Sequence, residues 1–496
     1  MKKEFKEMLK ERGRTEMPNV LLVSAECAPL SKTGGLADVV GTLPKALKKL
    51  GIDARVITPY HRCIKNKYAD QVEHMFHFYS RLGWRNAYVG LEKLELDGVT
   101  IYLIDNEQYF GDKIYRGGNA EGEQYSFFCR AVLDVLPNLD FQVDVCHCND
   151  WHTAIMPMLA HTQYRGWMQD KVKYLLTIHN IKFQGQYGFE FVQDLLEIDR
   201  SYYISDYLEQ DGCANYMKAG CVFADRINTV SPSYAWEIKT PEYSEGLEGI
   251  LNARSAQLTG IINGIDTKVF NPETDRNLPA KYSAAKIHPG KTQCKTALQK
   301  ELGLPVNPDT PMMIMITRLA GHKGLDLLCY IARRLMWEEN AQLVLIGTGE
   351  AQYETFFREL EEQFPEQVSA QITFNVGLAA RVYAAGDIYL MPSKSEPCGL
   401  SQMNAMRYGT VPVVHATGGL KDTVPPCDEA GHTGLGFTFQ SYNADDFYGA
   451  IKRCLNLYEN DRAGFEALRK RDMEQDFGWD KPAEKYMDAF RKMLSW

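Results

Sequence analysis

The chain has 496 residues, of which 45% are hydrophobic and 24% charged. This balance is typical of a folded soluble protein, and the length predicts two domains. The net charge of −9 argues against non-specific nucleic-acid binding, which requires a basic surface. No run of about 18 apolar residues occurs, so we expect no membrane span, and the charged residues 1–17 do not resemble a secretory signal.

Twelve cysteines are spread along the chain, many of them within apolar runs. A secreted domain held by disulfides is usually shorter and denser in cysteine, so we expect reduced thiols and a cytoplasmic location. Cys146 and Cys148 flank His147, a pattern that a metal site also produces. We interpret them as residues of one buried strand, because no second cluster of metal ligands lies nearby.

Short apolar runs alternate with helix-length segments in two series. The first series predicts strands at 19–24, 54–58, 100–104, 144–148, 173–178 and 226–230. After a polar stretch at 271–310, the second series predicts strands at 312–316, 342–346, 371–374, 387–391 and 411–414. Such runs are typical of buried parallel strands joined by helices. The sequence therefore predicts an α/β protein of two doubly wound domains, with a boundary between 258 and 268.

The loop after the first strand is the first candidate ligand site, since open parallel sheets bind ligands beyond the carboxyl ends of their strands. Lys32-Thr-Gly-Gly-Leu-Ala-Asp38 precedes a predicted helix. Its glycine pair permits close approach of a ligand, the helix N-terminus favours an anion, and Lys32 adds a positive charge. The alternative is an ordinary turn between a strand and a helix.

Two later loops of the first series carry polar and aromatic side chains. Asn149-Asp-Trp-His152 follows the strand at 144–148, and His179-Asn180 ends the next one. A single histidine at a strand end is more often structural than catalytic. Several polar residues at successive strand ends favour a site, and we expect these side chains to line one edge.

The second series has a cationic loop after its first strand. Arg318 and Lys323 lie in this loop, just before a predicted helix. Arginine can bind a phosphate through two hydrogen bonds and lysine can add a point charge, so the pair suits a diphosphate. The alternative is two solvated surface cations.

Two more loops of the second series are candidates for sugar or phosphate binding. In Glu396-Pro-Cys-Gly-Leu400 the carboxylate can accept hydrogen bonds from sugar hydroxyls, although an acid at a helix N-terminus is also favoured by the helix dipole alone. Thr417-Gly-Gly-Leu420 offers backbone N–H groups to a phosphate or sugar.

Together these segments resemble the bacterial glycogen synthase and plant starch synthase family. The matching pieces occur in the family's order across nearly the whole chain, and only the ordered set is highly specific. They are Lys32-Thr-Gly-Gly-Leu-Ala-Asp38, Asn149-Asp-Trp-His152, His179-Asn180, Thr229-Val-Ser-Pro-Ser-Tyr234, Glu242-Tyr-Ser-Glu-Gly-Leu-Glu248, Asn263-Gly-Ile-Asp266, Arg318 with Lys323-Gly324, Glu396-Pro-Cys-Gly-Leu400 and Thr417-Gly-Gly-Leu420.

The resemblance implies a GT-B architecture, in which two Rossmann-like domains face a deep cleft. The domains would span 1–260 and 261–475, and a final helix at 476–496 would cross back to the N-terminal domain. It also implies retaining, metal-independent transfer of glucose from ADP-glucose to the non-reducing end of an α-1,4-glucan, with release of ADP and no cofactor. Catalysis would then rest on oriented electrostatics.

Carried over to this sequence, the resemblance also implies roles for five catalytic residues. Arg318 and Lys323 would neutralise the leaving diphosphate. Glu396 would hold the donor glucose, and His179 would lie beside it. Asp150 would lie on the acceptor side.

The remaining implied residues bind substrate. Lys32 and the Gly34-Gly35 pair would close over the donor, with Asp38 supporting their loop. Asn263 would bind glucose or phosphate. Phe374 is a further candidate, for stacking on the nucleotide base, because it begins the segment that should border that base. Further backbone contacts would come from Cys398, Gly399, Leu400, Thr417, Gly418 and Gly419.

The sequence departs from the family's pattern at four places. Asn149 stands where a histidine is usual, Lys394-Ser395 replaces Arg-Phe, and His415-Ala416 stands where an arginine is common. The segment 374–381, which should border the base, is shorter than usual, so the choice between ADP-glucose and UDP-glucose stays open although the family favours ADP-glucose.

Two other functions stay open as alternatives. One is a related transferase with a small acceptor. The other is a non-catalytic glucan-binding scaffold, which would be expected to lose the charged residues that are all present here.

Overall fold

A computed structural model describes residues 2–11, 17–164, 166, 171–428 and 431–495. Its internal contacts divide the chain into two compact units, Met1–Gly264 together with Trp479–Trp496, and Ile265–Gly478. Each unit has its own parallel sheet. Within the described residues, no helix has both the length and the apolar character that crossing a membrane requires.

The first unit is built on a nine-stranded sheet with helices on both of its faces. The strands of that sheet are β1 (Asn19–Val23), β2 (Asp53–Pro59), β3 (Glu73–Leu82), β4 (Arg85–Leu96), β5 (Val99–Asp105), β6 (Val145–Asn149), β7 (Lys173–Ile178), β11 (Arg226–Thr229) and β12 (Leu258–Gly260). A separate three-stranded sheet contains β8 (Gln186–Tyr187), β9 (Glu209–Gln210) and β10 (Cys213–Asn215). Its helices are α1 (Lys2–Glu11), α2 (Gly35–Lys49), α3 (Arg62–Tyr68), α4 (Gly118–Val135), α5 (Trp151–Ala154), α6 (Met156–Gln163), α7 (Phe189–Leu196), α8 (Tyr216–Phe223), α9 (Pro232–Glu237), α10 (Glu248–Ala253) and the C-terminal helix (Asp480–Leu494).

The strand order of the large sheet is β12-β11-β7-β6-β1-β2-β5-β4-β3. Neighbouring strands from β12 to β5 are parallel, and only the β5-β4-β3 edge is antiparallel. Every residue of β6 is buried, as expected for a parallel strand covered on both faces. The placement of Cys146 and Cys148 on a buried strand is thereby confirmed.

The antiparallel hairpin β3–β4 is absent from the strands predicted above. Its strands mix charged, histidine and aromatic residues, and β3 is largely exposed, so it lacks the continuous apolar run that marked the buried strands. The hairpin turns at Gly83, whose φ is +59°, and a β-carbon there would lie 1.8 Å from the carbonyl oxygen of Asp194. Only glycine fits this turn.

The C-terminal helix belongs to the core of the first unit. Tyr486 packs against His147 with ring centroids 5.4 Å apart, and Phe490 lies 6.4 Å from the same ring. The Nδ2 of Asn228 also donates a hydrogen bond of 3.1 Å to the Tyr486 hydroxyl. Tyr486, Met487, Phe490 and Met493 therefore form the buried face of a helix that covers the middle of the sheet.

The second unit contains a six-stranded parallel sheet in the order β15-β14-β13-β16-β17-β18. The strands are β13 (Met312–Ile316), β14 (Gln342–Ile346), β15 (Val368–Gln371), β16 (Ile388–Met391), β17 (Val411–His415) and β18 (Phe437–Phe439). The helices are α11 (Gly290–Glu301), α12 (Leu325–Glu338), α13 (Ala351–Gln363), α14 (Val376–Ala385), α15 (Ser401–Arg407), α16 (Gly418–Thr423), α17 (Ala444–Asn460) and α18 (Arg462–Met473).

Two features of the second unit differ from the sequence prediction. The strand predicted at 371–374 lies instead at Val368–Gln371, so that Phe374 falls in the loop before α14. The polar stretch at 271–310 contains α11, whose Lys295 is buried. Its ammonium lies 2.7 Å from Asp387, which also pairs with buried Arg469. A hydropathy pattern cannot reveal such a core helix, because its buried lysine is tolerated through pairing with a charged partner.

Candidate active site

In the first unit, the ends of the neighbouring strands β6 and β7 bring Asp150 and His179 together. The backbone N–H of His179 donates to Asp150 Oδ1 over 2.7 Å, and that of Asn180 donates to the same oxygen over 3.3 Å. The ring Nε2 of His179 lies 2.9 Å from Asn149 Oδ1. The predicted meeting of these side chains at one sheet edge is confirmed.

Asp150 is held in an unusual conformation and environment. Its φ is +59°, a left-handed value that is uncommon outside glycine and often marks functional sites. Burial raises the pKa of this carboxyl to about 7, although the two backbone amides act in the opposite direction. The carboxyl group of Asp150 therefore titrates close to neutral pH.

The histidines beside Asp150 are neutral at that pH. Burial lowers the pKa of His179 to about 3, and burial together with the neighbouring His179 lowers that of His152 to about 3. His152 stacks on Tyr115 with ring centroids 5.0 Å apart. A neutral imidazole can donate through one nitrogen only, so these rings suit hydrogen bonding to a neutral sugar better than binding an anion.

The loop after β1 carries Lys32 and leads into α2. The ammonium of Lys32 lies 2.6 Å from Asp38 Oδ1, and both side chains are partly exposed. Gly34 is the residue before the first turn of α2, and no side chain caps this helix end. A β-carbon at Gly34 would meet no atom within 4 Å, so one face of the loop is open. Gly35 is the first residue of α2, so the glycine pair lies at the N-terminal end of this helix.

Glu26 organises this loop and was missed from the sequence. Its Oε2 accepts hydrogen bonds from the backbone N–H groups of Thr33 and Gly34, the latter at 3.4 Å. Its Oε1 accepts from the hydroxyls of Thr33, at 2.7 Å, and of Tyr115. Glu26 follows the end of β1, so the rule that polar residues beyond strand ends form sites applied to it equally.

Asn263, beyond the end of β12, is 4% exposed. Its Oδ1 is buried without a hydrogen-bond partner among the described residues. Buried polar atoms are nearly always paired in folded proteins. Because a carbonyl oxygen only accepts, this atom suits a ligand hydroxyl.

In the second unit, the loops after β13 and β16 bring Lys323 and Glu396 together. The Lys323 ammonium lies 2.7 Å from Glu396 Oε2, and the Ser393 hydroxyl donates to the same oxygen over 3.0 Å. The backbone N–H of Lys394 donates to the carbonyl of His322 over 3.0 Å. A cation and a carboxylate are thus fixed side by side beyond the carboxyl ends of two adjacent central strands.

The loop after β17 joins this cluster through its backbone. The N–H of Gly419 donates to the carbonyl oxygens of Glu396, at 3.0 Å, and Pro397, at 3.1 Å. A β-carbon at Gly419 would lie 2.1 Å from the carbonyl oxygen of Cys398. Glycine at 419 is therefore required for the two loops to pack, whether or not the Thr417-Gly-Gly motif also binds a ligand.

The other predicted residues of the second unit lie around this cluster. Cys398 and Thr417 are buried, Leu400 directly precedes α15, and Gly399 and Gly418 have positive φ values of 69° and 46°. Arg318 follows β13 and is exposed. Phe374 follows β15 and is 84% exposed. A single strand, β14, separates β13 from β15.

His415, one of the departures from the family's pattern, supports the same cluster. Its Nδ1 lies 2.9 Å from the carbonyl oxygen of Ser393, and its Nε2 lies 3.2 Å from that of Gln440. Its ring also packs on Phe439. It therefore fixes the backbone of the residue that donates to Glu396.

The side chains that could bind a metal ion do not cluster in the described residues. The ranges that the structure describes contain no group of three or more His, Cys, Asp or Glu side chains that could hold a metal ion. All twelve cysteines are free thiols.

Family models match both units. The model described as the starch synthase catalytic domain matches residues 19–253, and the model described as glycosyl transferases group 1 matches residues 300–471. Among curated relatives, the glycogen synthase of Lachnospira eligens is 44% identical over 479 residues, which cover 96% of this chain and 100% of that protein. The glycogen synthase of Streptococcus gordonii is 43% identical, with the same coverage of both chains.

Solved structures agree with these matches. The catalytic domain of starch synthase IV from Arabidopsis thaliana, bound to ADP and acarbose, has a TM-score of 0.89 and 31% identity, covering 97% of this chain and 100% of that one. The sucrose-phosphate synthase of Thermosynechococcus elongatus has a TM-score of 0.60 and 17% identity, covering 96% of this chain and 99% of that one, and shares the fold. The fold and the site define a GT-B glycosyltransferase. Within that class, the chain belongs to the glycogen synthase and starch synthase family.

Proposed function

We propose that this protein transfers glucose from ADP-glucose to the non-reducing end of an α-1,4-glucan with retention at the anomeric carbon, and releases ADP. The observation that carries the proposal is the Lys323–Glu396 pair, held 2.7 Å apart where open parallel sheets bind their ligands. It is supported by the starch synthase IV structure, whose printed ligands are ADP and acarbose.

In this proposal Lys323 and Arg318 bind the diphosphate of the donor. Charge that develops on the leaving group is stabilised by cations already in place, which is often the largest contribution to catalysis. Lys323 is held by Glu396, and exposed Arg318 can form two parallel hydrogen bonds to a phosphate. The exposed ring of Phe374 is suited to stacking on the base.

Glu396 has a second task, which is to bind the donor glucose. One of its oxygens accepts from both Lys323 and Ser393. A carboxylate offers about four acceptor positions in total, so the other oxygen can receive sugar hydroxyls. The buried Oδ1 of Asn263 offers one more acceptor of the same kind.

In this proposal Asp150 and His179 form hydrogen bonds to the sugars on either side of the new glycosidic bond. The acceptor is a neutral alcohol whose proton must leave as the new glycosidic bond forms. A carboxyl group with a pKa raised to about 7 by burial suits hydrogen bonding to such an alcohol in either protonation state. The reducing cytoplasm is the proposed location, since it suits twelve free cysteines.

The proposal is tested by measuring incorporation of labelled glucose into glycogen, with ADP-glucose and UDP-glucose assayed side by side. Faster incorporation from ADP-glucose supports the proposed reaction. Faster incorporation from UDP-glucose would show that UDP-glucose is the preferred donor. Labelled products built on glucose or maltose, but not on glycogen, indicate a small-acceptor transferase. Glycogen binding without any transfer indicates a non-catalytic scaffold.

A further inference from the structure

The carboxylate of Glu26 joins two segments of the first unit that lie far apart in sequence. It receives both backbone and side-chain hydrogen bonds from Thr33, a backbone hydrogen bond from Gly34, and the hydroxyl of Tyr115, which lies 89 positions away. Tyr115 in turn stacks on His152, two residues after Asp150. A continuous series of contacts therefore runs from the Lys32 loop to the sheet edge that holds Asp150.

Stability alone does not account for this arrangement. Glu26 is only 2% exposed, and all of the donors named above are neutral groups. Among the described residues it forms no salt bridge. Burying a carboxylate without a cation is costly even when it is well hydrogen-bonded. What the buried side chain provides in return is four hydrogen bonds that fix the Thr33–Gly34 backbone and two hydroxyl groups.

We propose that Glu26 is a positioning residue, which holds the Lys32–Gly35 loop and Tyr115 in the arrangement that binds the donor. The inference rests on the proposed function, because it takes the loop to be a donor-binding element. Glu26 acts through the loop. Its two oxygens are directed at Thr33, Gly34 and Tyr115 rather than at a substrate.

Glutamine at this position separates positioning from direct chemistry. The amide oxygen of Glu26→Gln can accept from the backbone N–H groups of Thr33 and Gly34. Its NH₂ can donate to the hydroxyls of Thr33 and Tyr115, which accept as well as donate. The substitution therefore keeps every contact and removes only the charge, whereas Glu26→Ala removes them all.

Steady-state kinetics with wild-type protein, Glu26→Gln and Glu26→Ala provide the first test. We expect Glu26→Ala to raise the KM for the donor by about tenfold and to leave the KM for glycogen within about twofold. Glu26→Gln should stay within about threefold of wild type in both constants. Glu92→Ala is the matched control, since Glu92 is a buried acid of the same unit that contacts His74 instead, and its constants should not change.

Amide hydrogen exchange of the loop provides a second test that does not depend on activity. We expect faster exchange at Thr33 and Gly34 in Glu26→Ala, and wild-type exchange in Glu26→Gln. The positioning role is overturned if Glu26→Gln is as impaired as Glu26→Ala while exchange stays at the wild-type rate, because the charge itself would then act on the substrate. It is equally overturned if Glu26→Ala changes neither exchange nor the donor KM.

The wild-type assay separates the two proposals. If wild-type protein transfers glucose from neither nucleotide sugar, the proposed function fails whatever the variants do. If wild-type protein is active, but Glu26→Ala is not impaired or Glu26→Gln is impaired as strongly, only the positioning role fails.

Discussion

Asp150 of the first unit and Glu396 of the second occupy equivalent places in two parallel sheets. Each lies in the loop beyond a central strand and just before a helix, and each is almost fully buried. Their partners differ. Asp150 accepts hydrogen bonds from two backbone amides, whereas Glu396 contacts the ammonium of Lys323 and a serine hydroxyl.

The difference shows how one fold supports two kinds of carboxyl group. Amide donors do not compensate fully for burial at Asp150, so its pKa rises to about 7 and its charge depends on pH. At Glu396 the partner is a cation, and the Lys323 ammonium lies 2.7 Å from the carboxylate. The first arrangement suits a neutral acceptor alcohol and the second suits a charged donor.

Breaking the ion pair is expected to have the largest effect. Glu396→Ala and Lys323→Ala should each lower turnover by more than about tenfold, or roughly 1.4 kcal/mol in the barrier. Each substitution leaves its partner charge largely buried and unpaired, in addition to removing the donor contact that the proposed function assigns to it. Initial rates of glucose incorporation measure the effect.

The double variant sharpens this prediction. If the two side chains act as one unit, Glu396→Ala combined with Lys323→Ala should be little worse than the poorer single variant. Asp326→Asn serves as a control, since Asp326 lies on α12 and contacts Tyr442 instead. Single variants that fold correctly and keep wild-type rates would remove both residues from the site.

Replacing Asp150 by asparagine tests the other carboxyl through stability. Asparagine keeps an oxygen for the backbone N–H of His179 but cannot titrate. Since burial raises the native pKa of Asp150 from 3.8 to about 7, the native state binds more protons than the unfolded state between these values. Its contribution to the free energy of unfolding should therefore fall as pH rises from about 4 to about 7, by at most about 1.4 kcal/mol per pH unit.

The comparison with Asp150→Asn is essential, because buried histidines act in the opposite direction. Burial lowers the pKa values of His147, His152 and His179 from 6.5 to about 3, and their contributions rise with pH through that window. Urea unfolding of both proteins at pH 5, 6, 7 and 8 gives the difference. If the difference in free energy of unfolding between wild-type protein and Asp150→Asn does not vary with pH, the pKa of Asp150 is not raised.

The sequence was most informative where one local rule decides the structure. Continuous apolar runs located most parallel strands, and polar residues beyond those strands located Asp150, His179, Lys323 and Glu396. Asp150 meets His179 in the first unit, and Lys323 meets Glu396 in the second. Each pair forms because neighbouring parallel strands of one sheet end at the same edge, a consequence of topology that chain order alone could anticipate.

The features that were missed depend on contacts between distant segments. Glu26 follows the end of β1, so its position was open to prediction, but its hydrogen bond to Tyr115, 89 positions away, was not. The β3–β4 hairpin lies at a sheet edge, where burial no longer imposes an apolar pattern. The strand predicted at 371–374 was displaced because an exposed phenylalanine continues the apolar run beyond the true end of β15.

A smaller effect is expected at Lys32, whose ammonium is partly exposed and pairs with Asp38, which is also partly exposed. Exposed ion pairs contribute little to stability, so Lys32→Ala should fold normally. If the loop binds phosphate, the substitution should raise the donor KM by about fivefold with little change in turnover, which corresponds to about 1 kcal/mol. Lys45→Ala, which removes another exposed lysine of the same unit that pairs with Asp97, is the control and should leave the donor KM unchanged.

The smallest effect is expected at Phe374. Because this ring is 84% exposed, Phe374→Ala should not change the free energy of unfolding. If the ring stacks on the base, its removal should raise the donor KM about threefold and Phe374→Trp should restore it, since stacking needs only an aromatic face. The glycogen KM should be unaffected. Equal donor KM values for wild-type protein, Phe374→Ala and Phe374→Trp would show that the nucleotide base does not stack on this ring.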